Sequence, residues 1–513
     1  MLSIVKDSRT SPNSQDFEQA TWTNIQANIS PLSHSMTSIT AGDIATGHFA
    51  INMLLDEVLL EIFACYVEES QMRDAWHTLA CVCRRWRSIA FGSPSRLNLR
   101  IFCSERIPVR ENLDFWPPFP IVLTVDYYRR LGDDNILATL EHRDRVSHIK
   151  IWNITSSLWE KALPLMQKSF PILTDLNLSY TNLIDMPVPP VVPDLFLDGS
   201  ATRLLRNLIL TRIPFPGLPK LLLSAPNLVH IDLYDIPDSG YIAPEVMVTC
   251  LSTLTRLESL MFGTESPRYH PEWERRRSSS STRSLLPSLT SFIFKGFIEY
   301  LEVILDSIDA PLLERLTILF FHQPIFDTLR LAQFISRVPN FKTCNEARLR
   351  LDSWHSSFTV LSNTTTNAFL FLEDWNRHAD FRMSTFVQFC TSSFPQALIP
   401  MLEDLVIVGC FSRPPEQDGI DPSTPWRVLL QPFIAVKNLY LFPEITPYIA
   451  LVLQELVGES ASEFFPVLQN IFLQELPFQF GLIPEGIEQF VAARQRASHP
   501  ISVSRLEIEL MAY

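Results

Sequence analysis

The sequence predicts an α+β protein in which a small helical unit precedes a long array of short strands and helices. Between about residues 52 and 90, apolar residues recur every three or four positions, which is the period of an amphipathic helix. Beyond about residue 146, one short apolar phrase returns many times, usually behind a proline. Its alternating apolar positions are typical of a half-buried strand. The two patterns together give the fold class.

Length and composition exclude several classes of function. A chain of 513 residues is too long for one typical domain. The net charge of −14 opposes binding to phosphate backbones or anionic lipid, so we expect no nucleic-acid or membrane partner. The sequence contains 38 prolines but only 14 glycines and no G-x-G, which disfavours phosphate-binding loops. No signal peptide or membrane-length apolar run is apparent, so an intracellular location, cytoplasm and/or nucleus, is expected.

The helical unit begins after a polar N-terminal segment. Residues 1–48 are rich in Ser, Thr, Asn and Gln without steady apolar periodicity and are predicted to be a disordered tail. From Asp56, which can cap a helix, apolar residues follow at helical spacing as far as Tyr66. A second helical pattern starts at Trp76 and stops at a Gly92-Ser93-Pro94 break. A unit of about 45 residues cannot bury all this apolar surface alone and should need a partner or a packed neighbour.

The same residues carry a family resemblance. Leu54 to Phe63 reads L-L-D-E-V-L-L-E-I-F, and Leu79 to Trp86 reads L-A-C-V-C-R-R-W. This resembles the F-box pattern L-P-x-E-[VIL]-L-x-x-I-F followed by L-x-x-V-C-[KR]-x-W. One departure is that Leu55 stands where the family usually has proline.

The resemblance implies a three-helix motif over residues 50–95 that binds a Skp-family adaptor and, through it, a cullin ubiquitin ligase. The family's docking positions map onto nine residues of this sequence. They are Leu54, Leu55, Val58, Leu59, Ile62, Phe63, Val82, Cys83 and Trp86. The alternative for several of them, Phe63 and Trp86 especially, is that they form the core of the helical unit.

The repeated phrase is L-x-x-L-x-L. Clear copies are Pro171-x-Leu173-x-x-Leu176-x-Leu178 and Pro226-x-Leu228-x-x-Ile231-x-Leu233, and Pro339-x-Phe341-x-x-Cys344 starts the phrase without finishing it. Helices are predicted between copies, for example over 300–309 and 328–337. Each is closed by the proline of the next copy, because proline cannot continue a helix. One short strand and one helix per repeat follow.

This phrase resembles the leucine-rich repeat, with longer and less regular spacing than usual. The chain as a whole therefore resembles the leucine-rich-repeat class of F-box proteins, particularly the divergent fungal ones. The predicted fold is a short three-helix F-box followed by an irregular α/β leucine-rich-repeat solenoid. Residues 96–145 would form a connector and first repeat or cap, and residues 146–513 the array.

The family assigns target capture to the array. Residues that alternate with the apolar strand positions should line its concave surface. The first choices for target binding are Trp152, Tyr234, Arg350 and Tyr440, because aromatic residues and arginine dominate interface energetics. The alternative for each is an ordinary surface side chain. The wider set adds Lys150, Asn177, Asp232, Lys295, Arg348 and Phe472.

Cofactor chemistry finds little support. The eight cysteines stand among apolar neighbours, which suits reduced core thiols better than disulfides. His77, Cys81 and Cys83 could reach one metal ion, but no second ligand pair of matching spacing follows, so no metal and no cofactor is predicted.

Catalytic motifs are also missing from the sequence. No G-x-S-x-G, H-E-x-x-H or C-x-x-C pattern occurs, and the acid pair Asp133-Asp134 has no companion at a telling spacing. The chain is therefore expected to be no enzyme. The leading hypothesis is a substrate receptor of a Skp-cullin-F-box ubiquitin ligase, and the alternative is a non-catalytic F-box scaffold acting outside ubiquitination.

One insert in the array is basic in an otherwise acidic chain. Residues 267–281 contain three consecutive arginines, 275–277, followed by four serines. This arrangement is either a phosphorylation site for a basophilic kinase or only a solvated loop between strands.

Overall fold

The fold was analysed in a computed structural model. It describes residues 51–70, 75–103, 109–113, 117–125, 132–180, 191–199, 203–265, 283–320, 329–352, 356–362, 369–374, 398–410, 423–457, 464–475 and 482–507. The expected tail at 1–48 and the basic insert at 267–281 lie outside these residues. The chain divides into two compact units, Met1–Phe102 with Leu113–Ile121, and Cys103–Asn112 with Val122–Tyr513.

The first unit contains three α-helices: α1 Asp56–Ser70, α2 Ala75–Val82 and α3 Arg84–Gly92. Asp56 and Glu57 lie in the first turn of α1, where negative charge interacts favourably with the helix dipole. Cys83 separates α2 from α3 because its backbone is extended, and its Sγ accepts a hydrogen bond from the Trp86 N–H.

Aromatic rings fill the interior of this unit. Phe63 of α1 packs on Trp86 of α3 with ring centroids 4.7 Å apart. Trp76 lies edge-on to Phe119, 5.7 Å between centroids, and Phe91 lies 5.3 Å from the same ring. Such edge-to-face pairs stabilise beyond their buried area.

The second unit alternates helices with short strands. Its helices are α4 Val109–Asn112, α5 Asp133–Glu141, α6 Ser156–Met166, α7 Leu218–Ser224, α8 Pro244–Leu251, α9 Ile298–Ser307, α10 Leu329–Arg337, α11 Ser423–Leu430, α12 Thr446–Glu455 and α13 Glu485–Arg496. Short 3-10 turns stand at Ile51–Met53, in the first unit, and at Phe196–Gly199, Asp238–Gly240, Pro339–Thr343 and Ile399–Met401. The helices predicted over 300–309 and 328–337 are confirmed as α9 and α10, shifted by one or two residues.

The strands are mostly four to seven residues long. They are β1 Ile101–Cys103, β2 Ile121–Val125, β3 Val146–Ile154, β4 Asp175–Tyr180, β5 Asn207–Thr211, β6 His230–Ile236, β7 Ser259–Thr264, β8 Ser284–Leu285, β9 Ser291–Gly296, β10 Ile308–Asp309, β11 Arg315–Phe320, β12 Glu346–Asp352, β13 Ser356–Leu361, β14 Phe369–Asp374, β15 Asp404–Cys410, β16 Asn438–Leu441, β17 Asn470–Glu475 and β18 Ser502–Glu507. The α+β prediction is confirmed at this level.

The copies of the repeated phrase align in register across a largely parallel sheet. From β3 onward the strand order is β3-β4-β5-β6-β7-β9-β11-β14-β13-β12-β15-β16-β17-β18. The central apolar position of each copy aligns with its counterpart on the neighbouring strand, and in the two rows below it is buried in every copy but the last. One such row is Ile149, Leu176, Leu208, Ile231, Leu260, Phe292 and Leu316, and another is Leu405, Leu439, Ile471 and Val503, of which Val503 is half-buried.

Between β11 and β15 the regular order breaks down. β13 runs antiparallel to both β12 and β14, and β14 rather than β12 pairs with β11. The three strands thus enter the sheet in reverse of their chain order. The expectation of one strand and one helix per repeat fails here, because only residues 353–355 separate β12 from β13.

The incomplete phrase at Pro339 does not form a strand. Pro339–Thr343 is a 3-10 turn, and Ala347 of β12 aligns with Leu405 of β15. The copy that forms a strand is therefore Cys344-x-x-Ala347-x-Leu349. This copy has alanine at the central position, where the other copies have a larger apolar residue, so the sequence pattern does not identify it.

None of the described helices is long and apolar enough to cross a membrane.

Candidate functional site

Four apolar side chains of the first unit are open to solvent. Leu55 is 68% exposed, Val82 55%, and Val58 and Ile62 are each 42% exposed. Val58 and Ile62 are four residues apart on α1 and therefore lie on the same side of the helix. We call Leu55, Val58, Ile62 and Val82 the apolar patch. Several exposed aliphatic side chains on so small a unit make it a candidate for an interaction surface.

The remaining residues of the expected docking face lie deeper. Leu59 and Phe63 are fully buried, so both belong to the interior of the unit rather than to its surface. Leu54, Cys83 and Trp86 are half-buried. The alternation follows from helix geometry, since one side of α1 packs on α3 while the other carries the patch.

Arg85 braces the start of α1. Its Nη2 donates to Asp56 Oδ1 at 2.6 Å and to the Leu54 carbonyl at 2.5 Å. These bonds tie α3 to the residues on either side of Leu55. The sequence did not predict this contact, because nothing in the residues around Arg85 identifies a partner 29 positions away.

The second candidate surface lies on the sheet of the second unit. Side chains that alternate with the buried phrase positions lie on its opposite face, which we call the open face. Trp152 is 37% exposed, Arg350 is exposed, and Tyr234 and Tyr440 are half-buried. All four expected target-binding residues therefore retain some accessible surface.

The structure brings some of these residues together and keeps others apart. Tyr440 stacks on Phe472 of the next strand, with ring centroids 4.6 Å apart and 15° between planes. Arg348 and Val406 continue the same row on β12 and β15. Burial raises the pKa of Tyr440, with Asp404 and Glu346 adding to the effect. Trp152 lies on β3, many strands away, where Lys150 Nζ stands 5.4 Å from the centre of its ring.

Lys295 differs from the expectation. It is only 8% exposed, and its Nζ lies 2.5 Å from Asp235 Oδ1. Its ammonium also stands 4.9 Å from the centre of the Tyr234 ring, and Arg212 Nη2 lies 3.2 Å from Asp235 Oδ2. Lys295 is therefore held within a charged cluster at the carboxyl ends of the strands, rather than free to contact a target.

Two unusual backbone features accompany this cluster: positive φ angles at Arg212 and Asp235, and a glycine beside Lys295. Arg212 and Asp235 both have positive φ, 58° and 52°, which L-residues adopt only at a cost. Gly263 faces Lys295, and a Cβ at that position would stand 3.0 Å from the Lys295 Cβ. No sequence pattern indicates an aspartate with a positive φ, so the roles of Asp235 and Arg212 were not predicted.

Polar side chains also connect the strands at their amino ends. Asp175 on β4 accepts from Asn207 on β5 and lies 3.0 Å from His148 Nε2 on β3. Farther along, Asn438 Nδ2 donates to Asp404 Oδ1 at 2.6 Å, and Asn470 Nδ2 donates to Asn438 Oδ1 at 2.8 Å. These bonds hold neighbouring strands in register, a structural role in which the residues are not free for a ligand.

Cysteine placement agrees only in part with the expectation. Cys103, Cys250 and Cys344 are buried free thiols, and burial raises the pKa of each to about 11. Cys65 and Cys81 are instead exposed. Within the described residues no three His, Cys, Asp or Glu side chains come close enough to hold a metal ion, and that includes His77, Cys81 and Cys83.

The acid pair at the start of α5 is engaged in surface ion pairs. Asp133 Oδ2 lies 3.4 Å from Lys161 Nζ, and Asp134 Oδ1 lies 3.5 Å from Arg110 Nη2. Both carboxylates stand in the first turn of the helix, where they are favourable to its dipole.

Comparison with known proteins adds no relative. No family model matches the chain, and no curated protein matches it.

Proposed function

We propose that this chain is the substrate-recognition subunit of a Skp-cullin-F-box ubiquitin ligase. In this proposal α1–α3 form an F-box that binds the Skp-type adaptor, and the second unit is an irregular leucine-rich-repeat solenoid that binds a protein target. The observation that carries the proposal is the apolar patch, because Leu55, Val58, Ile62 and Val82 occupy docking positions of the F-box pattern and are exposed.

The energetics of the patch favour a partner. Covering each of these aliphatic side chains contributes about 1 to 2 kcal/mol, depending on how much surface is removed from water. The buried members of the pattern, Leu59 and Phe63, would act indirectly by holding α1 and α3 in position. Leu55 in place of the usual proline adds apolar surface at the edge of the patch, since it is the most exposed of the four.

The array supports a recognition role through its surface rather than through catalytic groups. Its open face carries aromatic and arginine side chains, among them Trp152, Tyr234, Arg350 and Tyr440, which are typical of interface hot spots. Ubiquitin transfer would be performed by other subunits, and this chain would contribute by holding the target close to them.

The test is affinity purification of the full chain and of the double variant Val58→Asp/Ile62→Asp. Two carboxylates in the patch cannot be desolvated without a large penalty, so we expect the variant to lose the Skp-type adaptor and the cullin. The matched control is Val246→Asp/Leu451→Asp on α8 and α12, where the side chains are 41% and 46% exposed. It should retain both partners.

Three outcomes distinguish a ligase receptor from a scaffold and from a chain without an F-box. Recovery of the adaptor with wild type and control but not with the patch variant supports the receptor. Absence of the adaptor from every preparation contradicts the F-box. Adaptor present with neither cullin nor ubiquitinated target favours a scaffold outside ubiquitination.

A further inference from the structure

Asp232 occupies the middle of β6 on the open face. It is in register with Ile209 on β5 and Met261 on β7. All three side chains are half-buried. Adjacent strands lie about 4.8 Å apart, so the carboxylate stands between two apolar walls.

No ion pair compensates this carboxylate among the residues that the structure describes, and its buried Oδ1 has no hydrogen-bond partner. The flanking open-face positions carry no charge either: they are Asn207, Ile209 and Thr211 on β5, and Ser259, Met261 and Gly263 on β7. Asp235, three residues along the same strand, is by contrast paired with both Lys295 and Arg212. Burial raises the pKa of Asp232.

A second acceptor lies on the same row. Asn177 on β4 is in register with Ile209, and its buried Oδ1 likewise has no hydrogen-bond partner in the described structure. Asn177 and Asp232 are therefore two strands apart, about 10 Å, with Ile209 between them. An extended chain covers this distance with about three residues.

We propose that this part of the open face binds an extended, basic segment of a target protein, with a Lys or Arg side chain on Asp232. The apolar walls of Ile209 and Met261 suit the alkyl stem of such a side chain, while the carboxylate pairs with its charged end. Rotation of the Asn177 amide would present its buried Oδ1 to an N–H of the same segment. This assignment rests on the proposed receptor function and specifies its target class.

The probe is a library of short peptides with Lys, Arg, Gln or Glu at the central position and random flanks, applied to the full chain. We expect wild type to select Lys and Arg over Gln and Glu. Asp232→Asn keeps the shape but removes the charge, and it should weaken binding of the selected peptides about tenfold, because a charge-assisted bond is lost.

The matched control is Asp144→Asn, an exposed aspartate in the 142–145 turn. Retained affinity in this variant, together with loss in Asp232→Asn, supports the site. Equal affinity of wild type and Asp232→Asn, selection of Glu, or no selected peptide at all overturns it. Adaptor recovery from the same preparations separates this result from the proposed function, since a failed F-box would remove the adaptor from all of them.

Discussion

Asp232 and Asp235 lie three residues apart on one strand and have opposite surroundings. Asp235 has a positive φ of 52° near the end of β6 and pairs with Lys295 and Arg212, whose charges offset the cost of its burial. Asp232 lies between Ile209 and Met261 and has no such partner among the residues that the structure describes. Two carboxylates of one strand thus differ in whether a cation of the fold offsets the cost of their burial.

Asp232→Asn should change how stability depends on pH. Because burial raises the pKa of Asp232 in the folded protein, the folded state holds the proton more tightly than the unfolded chain. The stability that this carboxyl contributes is fully present below its ordinary pKa of 3.8. It is lost as the pH rises through the higher pKa of the folded state. The variant should therefore gain stability over wild type as pH increases toward neutral. Urea unfolding at several pH values measures this.

Asp144→Asn is the comparison for that experiment, since its exposed carboxylate pays no desolvation penalty. A variant of Asp232 that is less stable than wild type at neutral pH, or a difference that shrinks as pH rises, would contradict the account of an uncompensated buried charge.

At the scale of elements, the distance between two packed helices depends on small residues as much as on large ones. Gly486 lies in the first turn of α13, packed against α12. A Cβ at this position would overlap the Ala450 carbonyl oxygen. The close approach of the two helices therefore depends on the missing side chain.

Gly486→Ala should destabilise the second unit by about 1 to 3 kcal/mol, because backbone must shift to relieve the overlap. The measurement is the free energy of unfolding in urea with the full chain. The cost exceeds the small helix-propensity gain of alanine over glycine, which acts in the other direction.

Gly132→Ser is the control, since nothing lies within 4 Å of a Cβ built there and Ser is a better helix N-cap for α5. Its stability should be unchanged or slightly higher. Equal behaviour of the two variants would show that the α12–α13 contact can relax without cost.

For the whole molecule, the division into two units predicts separable functions. Val58→Asp/Ile62→Asp should abolish adaptor binding and leave selection of basic peptides intact. Asp232→Asn should have the reverse effect. Both activities are measured on the two test variants and on the two controls, Val246→Asp/Leu451→Asp and Asp144→Asn. Adaptor binding is measured by pull-down, and peptide selection by binding to the library.

Loss of both activities in either variant, with the folded fraction unchanged, would contradict independent sites. Loss of both together with loss of the thermal transition would instead identify a variant that does not fold. The substituted side chains Val58, Ile62 and Asp232 are all at least partly accessible, so a folded product is expected.

Much of the fold was determined by local pattern. Helical spacing around Val58 to Phe63, and the phrase that places Leu176, Leu208 and Ile231 in register, follow from periodicity that each segment carries by itself. The prolines before the phrases end helices for a reason that is equally local, namely the missing N–H and the fixed φ. These features could be predicted without any knowledge of tertiary contacts.

Other features were decided only by tertiary structure. Which face of α1 is buried, and so which of Leu59 and Ile62 reaches solvent, depends on where α3 packs. The reversed entry of β12–β14 depends on pairing between strands distant in sequence, and Ala347 gives no local sign of it. Asp232 and Lys295 were equivalent candidates by sequence position alone. The long-range contact with Asp235 neutralises Lys295, whereas no cation of the described structure pairs with Asp232. Charge pairing in a fold depends on distance in space and not on distance along the chain.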